Sequence, residues 1–358
     1  MKTKKLSAIV VCFVSFVFCL YAFSGGKNAT CFANSVSEIL VEQSSRRVLY
    51  SNNARERRGI ASTTKILTAL CVLENCALDK VVKITEEMTG AEGSSIYLRV
   101  GDERTVEQLL YGLMLRSGND AATALAITVS GNVKDFASLM NETARKCGAT
   151  ESNFINPHGL DDEKHYSTAL DMALITARAF ENEIFKKIVG SKTYKFQTKE
   201  GETVVFVNKN KLLSREESFN GVKTGYTKRC GRCLVSSRNS DGMQLICIVL
   251  NCAPMFERSE ELLKFGSEKF AMRKILSGEE SYAEITPREA SAPALGVSVK
   301  RDVFYPLTDE EYNLLEYSFV PAKEGFKLSE IGEYAGKINV YSQKDLIYSS
   351  ESFIIIPH

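Results

Sequence analysis

The spacing of apolar residues changes twice along this chain, and that change limits the fold more than any single residue does. Ile39 to Glu42 and Arg47 to Tyr50 place Ile39, Val41, Val48 and Tyr50 two apart around Gln43 to Arg46, the pattern of a β-hairpin. From Ser62 the spacing becomes helical, with Ile66, Leu67, Leu70 and Leu73 on one face. Thr105-Val-Glu-Gln108 reads as a capping box opening a helix through Leu115. Val133 to Lys146 forms another helix stopped at Gly148, and Thr168 to Phe180 repeats the pattern with Asp171 as a charge in its first turn. Strand signals then return at Thr193 to Gln197, Thr203 to Val207, Gly221 to Gly225, Arg232 to Ser236 and Met243 to Asn251, with Asn239-Ser-Asp-Gly242 as a hairpin turn. One more helix, Phe256 to Phe270, closes the unit. Strands on both sides of a helical middle predict an α/β (α+β) domain whose antiparallel sheet takes in the N-terminal strand and is flanked by helices.

From about Ile275 the text differs, with Pro287, Pro293, Pro306 and Pro321 among short apolar stretches such as Gly296 to Val299, Lys337 to Tyr341 and Phe353 to Ile356. These regular turn signals predict a small all-β domain over 273–358, after a first domain over 34–272. A total of 358 residues, 44% of them hydrophobic, is enough for two domains with real cores.

Residues 1–33 read as a secretory signal peptide. Three lysines in Met1 to Lys5 precede the apolar run Leu6 to Phe23, with cleavage expected after Ala33. The alternative is an uncleaved helical anchor. Cleavage would leave seven cysteines, an odd number in a chain too large to need a disulfide framework. Cys230-Gly-Arg-Cys233 has CxxC spacing, but no second CxxC or nearby histidine completes a metal site, so these are read as small buried hydrophobes rather than a disulfide.

Composition excludes several functions. A net charge of +1 leaves no basic surplus for a phosphate backbone, so nucleic acid is not an expected partner. Only His158, His165 and His358 are present, too few for an HExxH helix or a multi-histidine metal site. Chemistry here has to use other groups.

Ser62-Thr-Thr-Lys65 places a hydroxyl and an amine three apart at a helix start, on one face. A serine is a poor nucleophile until a base takes its proton, and a lysine can be that base only if burial or neighbouring positive charge lowers its pKa. The spacing alone is cheap, since Ser24-Gly-Gly-Lys27 matches it in the targeting segment, and SxN recurs at Ser51, Ser117, Ser130, Ser218 and Ser237. Ser117-Gly-Asn119 stands out because it sits in a break between helical runs. Lys223-Thr-Gly225 occurs once, in a predicted strand where Gly225 would let a ligand backbone come close.

The order Ser62, Ser117, Lys223 resembles the serine penicillin-recognising enzymes with their SxxK, SxN and KTG motifs. More narrowly, Ile60-Ala-Ser-Thr-Thr-Lys-Ile-Leu-Thr-Ala-Leu70, Asn156-Pro-His-Gly-Leu160, His165-Tyr-Ser-Thr-Ala-Leu-Asp171 and Gly221-Val-Lys-Thr-Gly-Tyr-Thr227 are similar to low-molecular-weight penicillin-binding proteins of the D-alanyl-D-alanine carboxypeptidase family. The resemblance implies a β-lactamase/transpeptidase-like catalytic domain followed by a β-sandwich-like one. It implies no metal and no cofactor. The implied substrate is a peptidoglycan stem peptide ending in D-Ala-D-Ala, β-lactams are the implied covalent inhibitors, and the implied location is the extracellular face or cell wall.

Carried over by position, Ser62 would be acylated, Lys65 would accept its proton and Ser117 would relay a proton to the leaving D-alanine. Asn119 would bond the substrate backbone or hold Lys65. Lys223 would add positive charge beside Ser117 and bind substrate, and Thr224 and Gly225 would line up the peptide. The backbone N–H groups of Ser62 and Tyr226 would form the oxyanion hole, with Thr227 and Lys209 as candidates for the terminal carboxylate. His158 and His165 are read as loop-packing residues. Members of the family usually continue past the β domain into an amphipathic membrane-binding segment, whereas Phe353-Ile-Ile-Ile-Pro-His358 still reads as a strand end, which leaves Leu6 to Phe23 as the one segment expected to reach a membrane. Two rivals stand beside the carboxypeptidase: a β-lactamase, for which no water-activating Glu or Asp is identified, and a weakly active wall- or penicillin-binding module.

Overall fold

The computed structural model describes residues 35–289 and 293–357. The expected signal peptide, its cleavage position, and Cys12, Cys19 and Cys31 lie outside the described residues. Among the described residues no helix is long and apolar enough to cross a membrane.

The chain opens with β1 (Ser37–Glu42) and β2 (Val48–Asn52), the expected hairpin. A 3-10 turn over Ala61–Thr64 leads into α1 (Lys65–Asn75). A small hairpin, β3 (Val81–Lys83) and β4 (Glu103–Thr105), frames a long loop before α2 (Val106–Tyr111), whose capping box at Thr105 and Gln108 is present on both arms. A single π-helical turn, Gly112–Arg116, separates α2 from α3 (Asn119–Ser130); the sequence reading carried the helix through Leu115 and placed its break at Ser117 to Asn119. Then come α4 (Val133–Lys146), α5 (Ala169–Ala179), α6 (Glu183–Gly190) and the hairpin β5 (Thr193–Gln197) and β6 (Thr203–Val207). The strands β7 (Phe219–Thr227), β8 (Gly231–Ser240) and β9 (Met243–Leu250) and the helix α7 (Met255–Lys269) complete this part. Asp241 and Gly242, both at positive φ, make the tight two-residue turn between β8 and β9.

The main sheet has the order β2-β1-β9-β8-β7 and is antiparallel throughout, so the first strand does join the last ones. Its inner strands are buried on both faces, which is why β9 is a nearly continuous apolar run. The two-residue period sends Ile246, Ile248 and Leu250 into the larger core with the helices α1, α3, α4 and α5, and Met243, Leu245, Cys247 and Val249 into the core beneath α7. Ile66 to Val72 of α1 are buried all round, as expected of a helix enclosed by others rather than lying on a surface.

Past α7 the chain is β-rich: β10 (Ala271–Leu276), β11 (Ala283–Ile285), β12 (Leu295–Ser298), β13 (Val303–Leu307), β14 (Leu315–Pro321), β15 (Tyr334–Ser342) and β16 (Asp345–Ile355). Five strands form a sheet in the order β11-β12-β16-β15-β14, and β10 pairs with β13. A separate core, with Ile275, Val297, Leu307, Ile338 and Ile354, holds them together.

Candidate active site

Ser62 sits in the middle of the 3-10 turn, and Lys65 is the first residue of α1. Ala61, just before the serine, has a positive φ of 48°, a conformation costly for a residue with a Cβ and held here by its surroundings. The Ile60 carbonyl accepts from both the backbone and the hydroxyl of Thr63, and Thr64 Oγ1 donates to the Ala61 carbonyl. His165 Nδ1 accepts from the Ile155 amide, so its Nε2 carries the proton and donates to Thr64 Oγ1 at 2.9 Å. Burial lowers the pKa of His158 to about 3 and of His165 to about 4, so both are neutral and serve the loop, as read from the sequence.

Two glycines bring backbone against this turn. At Gly159 a Cβ would fall 1.9 Å from the Ala61 carbonyl oxygen. At Gly225 a Cβ would stand 3.1 Å from the Ser62 nitrogen and 3.2 Å from both the Ile60 oxygen and the Thr63 nitrogen. The sequence reading assigned the Gly225 opening to a ligand; on that side it admits the Ser62 turn itself, which fixes β7 beside Ser62.

Lys65 is 0% exposed and reaches three oxygens: Ser62 Oγ at 3.1 Å, Asn119 Oδ1 at 2.7 Å and the His158 carbonyl at 2.6 Å. Burial, then the charge of Lys223, then that of Lys209 hold its ammonium well below the ordinary lysine range, against a smaller opposing pull from Asp120. Lys223, 1% exposed, has its pKa lowered to about 7 by burial and by Lys209, and its Nζ donates to the Thr224 carbonyl at 3.0 Å. Asn119 Nδ2 donates to the Glu92 carbonyl, which turns Oδ1 toward Lys65. Ser117 is buried in the left-handed conformation between the π turn and α3.

The structure thus brings Ser62, Lys65 and Asn119 into one hydrogen-bonded group, with Lys223 within electrostatic reach. Among the described residues no hydrogen bond joins Ser117 to either lysine. Lys209 is exposed, and its Nζ donates to Ser94 Oγ at 3.1 Å. Thr227, the other candidate for a terminal carboxylate, donates its hydroxyl to Asp161 Oδ1 at 2.9 Å and accepts from the Cys230 amide. It could serve an incoming carboxylate only by leaving Asp161. Tyr226 lies exposed at the end of β7 with the Arg232 guanidinium 5.6 Å from its ring.

Cys230 and Cys233 are free thiols, buried, with pKa values pushed up to about 11 and about 12 by desolvation. The Cys230 thiol donates to Asp161 Oδ1 at 3.1 Å. Sequence reasoning missed two carboxylates, Asp161 and Asp120; the available signal was their position, directly after the Asn156 to Leu160 stretch and directly after Asn119. It also undervalued Asp171, which besides opening α5 accepts from the Glu151 amide and the Ser152 hydroxyl.

The family model for D-alanyl-D-alanine carboxypeptidase, peptidase S11, matches residues 27–253. The chain is 30% identical over 373 residues to D-alanyl-D-alanine carboxypeptidase DacF of Bacillus subtilis, covering 95% of this chain and 94% of that one. It is 36% identical over 248 residues to DacC of Escherichia coli, covering 65% of this chain and 61% of that protein's length. Among solved structures it is similar to penicillin binding protein 5 from Haemophilus influenzae, with a TM-score of 0.77, 26% identity, and coverage of 93% and 99%. A Streptomyces K15 DD-transpeptidase variant matches at 33% identity and a TM-score of 0.60 over 64% of this chain and 95% of its own. The β-rich C-terminal region falls within the span of the first of these structures. The chain belongs to the D-alanyl-D-alanine carboxypeptidase family of serine peptidases.

Proposed function

We propose that this protein acts outside the cytoplasm and removes the terminal D-alanine from peptidoglycan stem pentapeptides through an acyl-enzyme on Ser62, and that β-lactams trap the same serine. The observation that carries this reading is the partner set of Lys65. Two of its three partners, Asn119 Oδ1 and the His158 carbonyl, can only accept a hydrogen bond. A neutral amine has two N–H groups and one lone pair, so it gives both protons to those oxygens and turns the lone pair to Ser62 Oγ, 3.1 Å away. That is the geometry of a general base beside its nucleophile.

In this mechanism Lys65 takes the Ser62 proton as Oγ attacks the penultimate D-alanine carbonyl, and the Ser62 and Tyr226 amides receive the oxyanion. Ser117 then passes a proton to the leaving D-alanine, which requires its hydroxyl to turn toward Lys65 or Lys223 when substrate is bound. Lys223 and Lys209 supply positive charge on the side of the leaving carboxylate. Water later attacks the acyl-enzyme. Residues from 273 onward carry none of these groups, and their role is to support or place the catalytic part near the wall.

The test is incubation with a labelled penicillin and, separately, with a tripeptide ending in D-Ala-D-Ala. A stoichiometric adduct together with released D-alanine is expected. Adduct without release would make the protein a penicillin-binding module, and rapid penicillin turnover without D-alanine release would make it a β-lactamase.

A further inference from the structure

Asp120 follows Asn119 in the first turn of α3 and is 2% exposed. A carboxylate there interacts favourably with the helix N-terminus, and that alone could account for it. Its hydrogen bonds reach further. Oδ2 accepts from Ser95 Oγ at 2.6 Å and from the Leu98 amide at 3.1 Å, and the Ile96 amide lies 3.0 and 3.1 Å from its two oxygens. One buried carboxylate thus gathers donors from Ser95, Ile96 and Leu98 of the loop between β3 and β4.

That loop makes three hydrogen bonds to the site. Just upstream of the gathered residues, the Glu92 carbonyl accepts from Asn119 Nδ2 and the Ser94 carbonyl accepts from the Asn119 amide at 2.7 Å. The Ser94 hydroxyl accepts from Lys209 Nζ. An amide side chain can be turned over at little cost; what decides that Asn119 shows Oδ1 rather than Nδ2 to Lys65 is the acceptor at Glu92. Gly118 completes the arrangement, because a Cβ there would stand 2.9 Å from Asp120 Oδ1 and 3.0 Å from Ile96 Cγ2. Its φ of −59° and ψ of 120° are open to any residue, so the space, not the backbone angle, requires glycine.

We propose that Asp120 is a positioning residue: it clasps the 92–98 segment to α3, and through Glu92 and Ser94 that segment orients the Asn119 amide toward Lys65 and holds the Lys209 ammonium at the cleft. The inference rests on the carboxypeptidase reading and adds a residue to it. The clasp carries no chemistry of its own. It acts on acylation by keeping the base and its partner in register, where displacement of about 1 Å costs about 100-fold.

The experiment measures the acylation rate constant of the full chain by a labelled penicillin across pH, for wild type, Asp120→Asn and Gly118→Ala, with thermal unfolding followed in parallel. Lys65 faces Lys223 from β7, Lys209 from the 208–210 segment, Asp120 from α3 and the neutral His158 and His165 from the preceding loop. Asp120→Asn removes a charge that favours the Lys65 ammonium and loosens Asn119 Oδ1, which favours it too. Acylation is therefore expected to slow by about 10- to 100-fold, with its acidic limb displaced to lower pH. Gly118→Ala keeps the charge and crowds the clasp, so the rate is expected to fall in that variant as well; it carries the test if Asp120→Asn does not fold. Wild-type rates in both variants, or a loss that follows the unfolded fraction with the limb unmoved, would reduce Asp120 to a helix-start carboxylate. Uptake of no penicillin by the wild-type chain would sink the carboxypeptidase reading itself, and the clasp with it.

Discussion

Lys223 lowers the basicity of Lys65: the two lysines are sealed from solvent in one site, and after burial the charge of Lys223 is the largest cause of the Lys65 shift. In the proposed mechanism the arrangement makes a base out of an ammonium, and it costs stability, since each buried lysine is most expensive when protonated.

That cost has a sign that can be measured. Lys223 has its pKa lowered from the ordinary 10.5 to about 7, so between those values the unfolded chain holds a proton that the native chain lacks. Native stability therefore rises as pH goes from 7 toward 10.5, and below 7 the full cost of the buried ammonium is present. Lys223→Met is expected to lose activity yet to be more stable than wild type at pH 6, by on the order of 2 kcal/mol, with the difference shrinking toward pH 10. Urea unfolding of both proteins across this range checks it; a pH-independent difference would mean that Lys223 stays charged in the fold.

Gly225→Ala tests the approach of β7 to the Ser62 turn. The new Cβ would stand 3.1 to 3.2 Å from three backbone atoms of the Ser62 turn, so the strand and the turn have to part by a few tenths of an ångström. Penicillin acylation is expected to fall by about tenfold or more, because the oxyanion donors of the proposed mechanism come from these two segments. Acylation at the wild-type rate would show that the turn yields without moving the Ser62 and Tyr226 amides.

Arg47 ties the β1–β2 hairpin to the C-terminal strands. Its guanidinium bonds the Glu311 carboxylate and the Pro306 carbonyl and lies 5.4 Å from the rings of Phe270 and Tyr305. Arg47→Ala is expected to speed proteolysis within 271–285 several-fold while leaving penicillin labelling intact. Unchanged cleavage would remove Arg47 as the tie, and loss of labelling in the folded variant would mean that the C-terminal strands shape the site.

Much of this was legible in the sequence because local signals and tertiary structure agree. The Thr105 capping box, the hairpins over 193–207 and 231–250 and the helices at 133 and 168 all lie where residue spacing put them, to within a few residues. Ser62, Lys65 and Asn119 meet as their motifs implied. What escaped the reading depends on contacts between distant segments. The helix over Asn119–Ser130 begins one residue after a left-handed Ser117, with Gly118 between them, and its alanine-rich run has little amphipathic pattern because it is buried nearly all round. Asp120, Asp161 and the Thr227 hydroxyl have partners 20 or more residues away, and no spacing rule reports those. The reason for Gly225 likewise became visible only once the Ser62 turn stood beside it.

The central claim is that a neutral Lys65 activates Ser62. Its most direct test is the mass of the intact protein after a fixed incubation with penicillin at pH 7, for wild type, Ser62→Ala and Lys65→Ala, with the adduct mapped by peptide. The account predicts one penicillin per wild-type chain, on the peptide containing Ser62, and none on either variant, both of which unfold as single folded species. An adduct on Ser62→Ala, or acylation of Lys65→Ala to the wild-type extent in the same time, would contradict it.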